Sequence, residues 1–398
     1  MKVLQINVVY NNGSTGKIVY DIHTELLKDN IDSVVIFGRG KKINEKNVYK
    51  ASWELIMKIQ SLRSRITGYA YSGCIISTSK IIKFIKKEKP DVVHLHCLNG
   101  YFVNIYRLLR YLKINNIKTV LTLHAEFMYT AGCGYALECE KWKNGCGNCP
   151  QLRTERPNSW FFDRSKKEWI KMSKAFNEFN NLTICPVSDW LKYRAKQSPF
   201  LKDKNFETVT NGINTEIFRY RSNKSLKDKH KIKDEKIIIH VTSDFKSNIK
   251  GGKTVIEIAK KLVNSKVKFI IIGFNGDINE LPENVIGVSK IINQNELAEY
   301  YSLADITLLT SKKETFSMVC AESLCCGTPI VGFLAGAPET ITIKEYSKFV
   351  EQGNIDEIIK AINEYLHKEW DRKKIEYQAR NKYSKKTMYD KYYKIYSK

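Results

Sequence analysis

The sequence predicts an α/β protein built of two parallel-sheet domains, on three observations. Short runs rich in Val and Ile alternate with segments of helical length and helical apolar spacing along most of the chain. The alternation falls into two blocks, separated by a charged stretch without apolar periodicity, Tyr220–Lys236. In both blocks glycines, histidines and acids cluster just past the apolar runs, where parallel sheets bind ligands. The 398 residues supply enough material for two cores.

Composition narrows the function classes. The net charge is +24, from 66 Lys and Arg against 42 Asp and Glu. Such an excess suits phosphorylated ligands, an acidic membrane surface or nucleic acid. A genome biased towards Lys, Ile, Asn and Tyr would give the same excess without function. No stretch has the spacing of a zinc finger or the aromatic pattern of an RNA-binding strand, so a nucleic-acid partner is not expected. No apolar run approaches the roughly 18–20 residues that span a bilayer. The opening MKVLQINVVY reads as a first strand, not a secretory leader, and a cytoplasmic place is expected.

In the first block, Val3–Val9 predicts a buried strand, followed by Asn11-Asn12-Gly13-Ser14-Thr15-Gly16-Lys17 and a helix over Ile18–Leu27. A strand, a glycine loop and a helix start make an anion-friendly turn. It is not a P-loop, because Asn11 stands where that motif needs its first glycine. A tight turn needing glycine for its backbone angles is the plainer alternative. Ser33–Phe37 predicts a second strand. Trp53–Ile66 mixes apolar and basic residues at helical spacing, either docked on its own core or touching a membrane surface. A helix over Thr78–Ile85, a strand over Asp91–Leu95 and a helix over Val103–Lys113 follow. Thr119–Leu123 is a strand ending at His124-Ala125-Glu126, and His124 is the stronger of the two strand-end histidine candidates, ahead of His96.

Four of the ten cysteines cluster: Cys133, Cys139, Cys146 and Cys149, spaced C-x5-C-x6-C-x2-C. Four thiolates could hold a structural zinc, and four reduced thiols or two disulfides are the alternatives. The other six are scattered in apolar settings, as core residues are. A helix over Lys166–Phe179 and a strand over Leu182–Val187 lead to Ser188, a helix cap. Phe206–Thr210 and Asn211-Gly212-Ile213-Asn214 close the block.

The second block opens with a strand over Ile237–Val241 and a basic loop carrying Lys246 and Lys250 before Gly251-Gly252. A helix over Thr254–Leu262, a strand over Val267–Gly273 and a helix over Glu296–Ser302 lead to its most informative stretch, SKKETFSMVCAESLCCGTPIVG. Ile306–Leu309 predicts a strand, Ala321–Cys326 a helix stopped by Gly327 and Pro329, and Ile330–Phe333 the next strand. Glu314 then lies on a strand-to-helix loop and Glu322 in the helix. The amides of Ser317, Met318 and Val319 at a helix start suit a phosphate, and carboxylates on either side suit sugar hydroxyls. Together they describe a nucleotide sugar. The plainer reading is an ordinary strand–loop–helix unit with two solvated acids.

The E-x7-E spacing, the following GTPIV and the G-x-P-E loop resemble the donor site of retaining glycosyltransferases of family 4, which have the GT-B fold. The segments LHCLNGYFVNIY and GCGNCPQL resemble the colanic-acid and capsular-polysaccharide branch of that family. The resemblance implies two Rossmann-like domains facing across a cleft, with a C-terminal helix crossing back to the first. It divides the chain into residues 1–218 (with the Cys-rich insert 132–150), residues 219–375, and the tail 376–398, whose tyrosines pack inward. It implies a metal-independent, retaining transferase that moves a sugar from a nucleoside diphosphate to a glycan or lipid-linked acceptor in surface polysaccharide assembly. Gly13 and Gly16 would face the donor phosphates. His124 would contact the transferred sugar, with Glu126 where the family usually has an Asp-bearing loop. Lys250 matches the family's diphosphate lysine, and Lys246 stands in for an arginine the chain lacks. The amides of Phe316, Ser317, Met318 and Val319 would bind the diphosphate, Glu314 the sugar and Glu322 the ribose. There is no D-x-D motif, so no catalytic metal is expected. Peripheral contact with an acidic membrane surface is a further expectation. A non-catalytic sugar-nucleotide binder and a basic anionic-polymer or membrane binder are the alternatives.

Overall fold

The computed structural model describes residues 1–154 and 159–398. They form two compact units, Met1–Thr210 together with Tyr389–Lys398, and Asn211–Met388.

The first unit contains, in order, β1 (Lys2–Asn7), α1 (Gly13–Lys28), β2 (Asp32–Phe37), β3 (Val48–Lys50), α2 (Glu54–Thr67), α3 (Ile75–Glu88), β4 (Val92–Leu95), α4 (Ile105–Ile114), β5 (Thr119–Leu123), α5 (Ser165–Phe176), β6 (Leu182–Pro186), α6 (Asp189–Lys196) and β7 (Asn205–Phe206). The strands form one sheet in the order β3-β2-β1-β4-β5-β6-β7. Every pairing is parallel, with Leu4 opposite Val34 on one side and Val93 on the other. Strands covered on both faces read as continuous apolar runs, as β5 does with all five residues buried.

The second unit contains α7 (Lys224–Lys229), β8 (Lys236–Val241), α8 (Gly252–Lys261), β9 (Val267–Ile272), β10 (Val285–Val288), α9 (Gln294–Leu303), β11 (Ile306–Leu309), α10 (Met318–Cys325), β12 (Ile330–Phe333), α11 (Pro338–Ile341), β13 (Ser347–Val350), α12 (Ile355–His367) and α13 (Arg372–Tyr383). Its six strands lie parallel in the order β10-β9-β8-β11-β12-β13, the doubly wound order. Ile238, Phe269, Ile271, Ile306, Leu308, Val331 and Phe333 form its core with Val255 and Ile258 of α8 and Ile358 and Ile362 of α12. Each such side chain contributes about 1.5–3 kcal/mol by leaving water. In both sheets the winding reverses at one place, between β1 and β4 and between β8 and β11. A crevice opens there, outside the carboxyl ends of the strands.

Several sequence expectations shift. The charged stretch Tyr220–Lys236 is not a plain linker. It holds α7, whose Leu226 is buried. The unit boundary falls at Thr210, ahead of residue 218, because Ile213 is tied into the second unit. Its amide donates to Tyr383 O at 2.7 Å and its carbonyl accepts from Lys385 N at 3.1 Å. The tail is two helices, α13 and α14 (Lys385–Ser397), parted at Ser384, whose extended backbone and side chain start the second. Tyr383, Tyr389, Tyr392 and Tyr396 are buried, whereas Tyr377 and Tyr393 are exposed. Helix α10 starts at Met318, three residues ahead of the expected Ala321, and α1 starts at Gly13. Among the described residues, no helix is long and apolar enough to cross a membrane.

Candidate functional site

The crevice of the second unit lies between the loop after β8 and the loop after β11. The two loops are joined where Lys312 N donates to Ile249 O at 2.8 Å. Lys250 then stands with its Nζ 2.7 Å from Glu314 Oε1, both side chains partly exposed. Gly251 makes this placement achievable. It has a left-handed φ of 72°, and a Cβ there would sit 2.1 Å from the Thr310 carbonyl oxygen. Thr310 Oγ1 donates back to Gly251 O at 3.0 Å.

Glu314 is held through its own backbone. Its amide donates to Ala335 O at 2.9 Å, and its carbonyl accepts from Ala337 N at 3.2 Å. The 335–337 loop is fixed in turn by Glu339, whose carboxylate accepts from Ala335 N at 3.2 Å and Gly336 N at 2.8 Å. The G-x-P-E loop therefore positions Glu314, a role that sequence reasoning did not assign to Glu339.

Ser317 caps α10 from a left-handed conformation, φ 77° and ψ 88°, with its hydroxyl accepting from Cys320 N at 3.4 Å. A non-glycine residue held in such a conformation costs on the order of 1–3 kcal/mol and recurs at ligand sites. Phe316 is buried, so only its backbone is available to a ligand, while Met318 and Val319 are half-buried at the helix start. Glu322, one turn further on, accepts a hydrogen bond from the Tyr301 hydroxyl at 3.2 Å. Burial first, then the Glu322 charge, pushes Tyr301 well above the ordinary tyrosine range, so it stays a donor. Lys246 is exposed, with its amide donating to Asp244 Oδ1, and is not part of the Lys250–Glu314 pair.

The crevice of the first unit lies past β1 and β4. Gly13, with φ 64° and open space where a Cβ would go, and Gly16 lie in the first turn of α1. Asn11 N donates to Gly16 O at 3.0 Å and shapes the loop. His124 follows β5 and is almost wholly buried. Its Nε2 is 3.2 Å from His96 Nδ1, and His96 Nε2 is 3.3 Å from Gln5 Oε1. The Gln5 amide nitrogen donates to Val19 O at 3.3 Å, which turns its oxygen towards His96. An amide oxygen only accepts, so His96 carries its proton on Nε2 and accepts at Nδ1. His124 must then donate from Nε2, which makes Nδ1 its acceptor nitrogen.

Burial keeps the relay neutral. It lowers His124 to about 3, and it holds His96 far below its ordinary value, with His94 and His124 adding to the effect. His94 is also buried, with its ring nitrogens 2.7 Å from the Tyr396 and Thr122 hydroxyls. Strand-end position singled out His124. The alternation of Gln5, His94, His96 and Thr122 on adjacent strands was the available signal for the rest.

Glu126 is turned away from the strand end. Its buried carboxylate accepts from Arg194 Nε, the Tyr129 hydroxyl and Ala136 N, each at 2.6 Å. It thereby anchors the Cys-rich segment. Cys133, Cys139, Cys146 and Cys149 all line one small void beside Trp142. Among the described residues no cysteine is in a disulfide, and no group of three or more His, Cys, Asp or Glu side chains is placed to hold a metal ion. Protein groups order the segment instead: Trp142 Nε1 donates to Cys139 O at 2.9 Å, and Arg194 stacks on the Trp142 ring.

Residues 222–382 match the family described as glycosyl transferases group 1. The chain carries a glycosyltransferase group 1 domain. That domain includes Lys246, Lys250, Glu314, the 316–319 amides and Glu322, while Gly13, Gly16, His124 and the four clustered cysteines lie outside the matched residues.

Relatives extend the likeness beyond the group 1 domain. An Escherichia coli (strain K12) protein, named provisionally as the colanic acid biosynthesis glycosyl transferase WcaC, is 20% identical over 90% of this chain and 89% of its own. A Klebsiella pneumoniae protein of 41.2 kDa encoded in a cps region is 24% identical over 98% of this chain and 99% of its own. Among solved structures, sucrose-phosphate synthase from Thermosynechococcus elongatus shares the fold with a TM-score of 0.69 at 13% identity, covering 100% of this chain and 98% of that one. Anabaena HepE in complex with UDP does so with a TM-score of 0.65 at 12% identity, covering 100% of both chains. The fold is that of GT-B glycosyltransferases.

Proposed function

We propose that this group 1 glycosyltransferase moves a sugar, with retention, from a nucleoside diphosphate to a glycan or lipid-linked acceptor in surface polysaccharide assembly. The observation that carries the reading is the Lys250–Glu314 pair at the β8/β11 crevice, beside the start of α10. A cation, a helix start and two carboxylates match the parts of a sugar nucleotide. Lys250 and the amides of Phe316 to Val319 meet the diphosphate and its growing charge as it leaves. Glu314 accepts from sugar hydroxyls and steadies positive charge at the anomeric carbon. Glu322, oriented by Tyr301, accepts from the ribose. His124 contacts the transferred sugar, and Gly13 and Gly16 let the backbone of the first unit approach phosphate or acceptor.

In the transfer, the bond from the anomeric carbon to the phosphate oxygen breaks and a bond to the acceptor hydroxyl oxygen forms. The hydroxyl proton leaves with the nucleoside diphosphate. Lysine and helix amides take the place of a metal clamp, in keeping with the absence of a D-x-D motif. The relatives named for colanic acid and a cps region, and the UDP bound to HepE, support the substrate class.

The test is a thermal-shift and hydrolysis screen across UDP-, GDP- and ADP-sugars. One donor is expected to raise the melting temperature and to be slowly hydrolysed. If none does either, the reading fails. Donor binding without hydrolysis or transfer, unchanged in Glu314→Ala, would mark a non-catalytic binder instead.

A further inference from the structure

We propose that α2 and the Trp160–Phe162 turn dock the first unit on a bilayer surface rich in anionic headgroups. Of the fourteen residues of α2, only Met57 and Ser64 are buried. Leu55, Ile59, Leu62 and Ile66, at i, i+4, i+7 and i+11, are all exposed. At about 100° per residue they form one stripe on the side opposite Met57 and Ser64. The helix therefore shows its apolar stripe to solvent, the reverse of a core-docked helix.

Trp53, 73% exposed, stands at the N-terminal end of the helix. At the other end Trp160 N donates to Arg65 O at 2.8 Å, which sets the exposed Trp160, Phe161 and Phe162 beside the end of the helix. Between α2 and the start of α3 runs a groove of about 630 Å³, lined among others by Trp53, Ile56, Ile75 and Ile76. Ile76 is 71% exposed. A soluble monomer seldom leaves so continuous an apolar face uncovered.

Charge decides the occupant. Arg63 flanks the stripe on one side, and Lys58 and Arg65 flank it on the other, all exposed. Lys80 stands at the groove. The one acid of α2, Glu54, is engaged by Gly40 N at 2.7 Å and Lys50 Nζ at 3.3 Å. A second copy of this chain would bring the same cations against themselves. An anionic bilayer takes the apolar stripe and the tryptophans into its headgroup region while the flanking cations reach phosphates. This goes beyond sugar transfer and does not rest on it.

The experiment is co-sedimentation of the full chain with phosphatidylcholine vesicles, with and without phosphatidylglycerol. Binding is expected only with phosphatidylglycerol, weakening as salt rises, with a blue shift of tryptophan emission. Ile59→Ser with Leu62→Ser, and separately Lys58→Glu with Arg65→Glu, are each expected to lower partitioning by about tenfold or more. Melting temperatures should stay unchanged, because the replaced side chains are exposed. Trp53→Ser provides a further arm should a double variant fail to fold, and the same direction is expected of it. No binding to anionic vesicles, equal binding to neutral ones, or variants that bind like the parent would each overturn the proposal. So would variants whose one effect is to dissociate a dimer.

Discussion

Lys250 Nζ and Glu314 Oε1 stand 2.7 Å apart on two loops that flank the β8/β11 crevice. Neither is deeply buried, so the pair itself adds little to stability, typically less than about 1 kcal/mol. Its importance lies in what it positions. Lys250→Ala is expected to weaken nucleoside diphosphate binding by roughly tenfold to a hundredfold, the range of a charge-assisted contact. Glu314→Gln should leave that affinity within a few fold and lower transfer by about 10²–10³-fold. Calorimetry with the free nucleotide and steady-state transfer assays separate the two. Unchanged nucleotide affinity in Lys250→Ala would remove the lysine from the site.

Tyr301 gives a milder, more diagnostic change. Its hydroxyl donates to Glu322, so Tyr301→Phe keeps the packing and removes the group that orients the carboxylate. Loss of one such bond is worth about 1 kcal/mol, or roughly fivefold. The expected result is a rise of that size in donor KM with kcat unchanged, the mark of an interaction shared by ground and transition states. A fall in kcat at constant KM would give Glu322 a role in the transfer step itself.

Much of this was legible in the residues, for reasons that differ from element to element. β5, β11 and β12 were read to the residue because they are central strands buried on both faces. β3, β10 and β13 passed unread because they are short sheet edges, partly exposed, where the apolar run fades. α12 had no such excuse, since Ile358, Ala361, Ile362, Tyr365 and Leu366 keep a clear helical stripe. At the site, local spacing gave Glu314 and Glu322, while their partners came from far along the chain. Glu339 and Tyr301 bond to the site only because the sheet brings β11, β12 and α9 together. Glu126 and the four cysteines show the opposite limit. Their residue types suited chemistry, yet tertiary packing turned the acid inward to Arg194, and among the described residues the thiols form no group placed to hold a metal ion.

Gly251 offers a stability test with an internal control. Both Gly251, φ 72°, and Gly353, φ 83°, lie in the left-handed region, but a Cβ on Gly251 would strike Thr310 O whereas Gly353 has open space around it. Gly353→Ala should cost about 1–2 kcal/mol, the conformational term alone. Gly251→Ala should cost clearly more, upwards of about 2 kcal/mol, because the loop carrying Lys250 must also move. It should lose nucleotide binding as well. Urea unfolding of both variants checks this, and equal costs would mean that the Thr310 contact relaxes freely.

The histidine relay sets the pH behaviour. Burial lowers His124 to about 3 from an ordinary 6.5. Between those values the unfolded chain binds a proton that the folded chain refuses, so stability is intact above about pH 6.5 and falls as the pH drops below it. Each neutral buried histidine steepens the loss by up to about 1.4 kcal/mol per pH unit. His96→Gln, which removes one titrating ring, should make the acid slope of the melting temperature shallower. It should also reduce transfer by loosening the tautomer of His124. Since His124 stays neutral through the working range, kcat/KM should show no limb near pH 6.5 that His124→Gln removes. A limb that vanished in that variant would mean that the imidazole titrates in the open, and the buried, neutral acceptor derived from Gln5 and His96 would have to be abandoned.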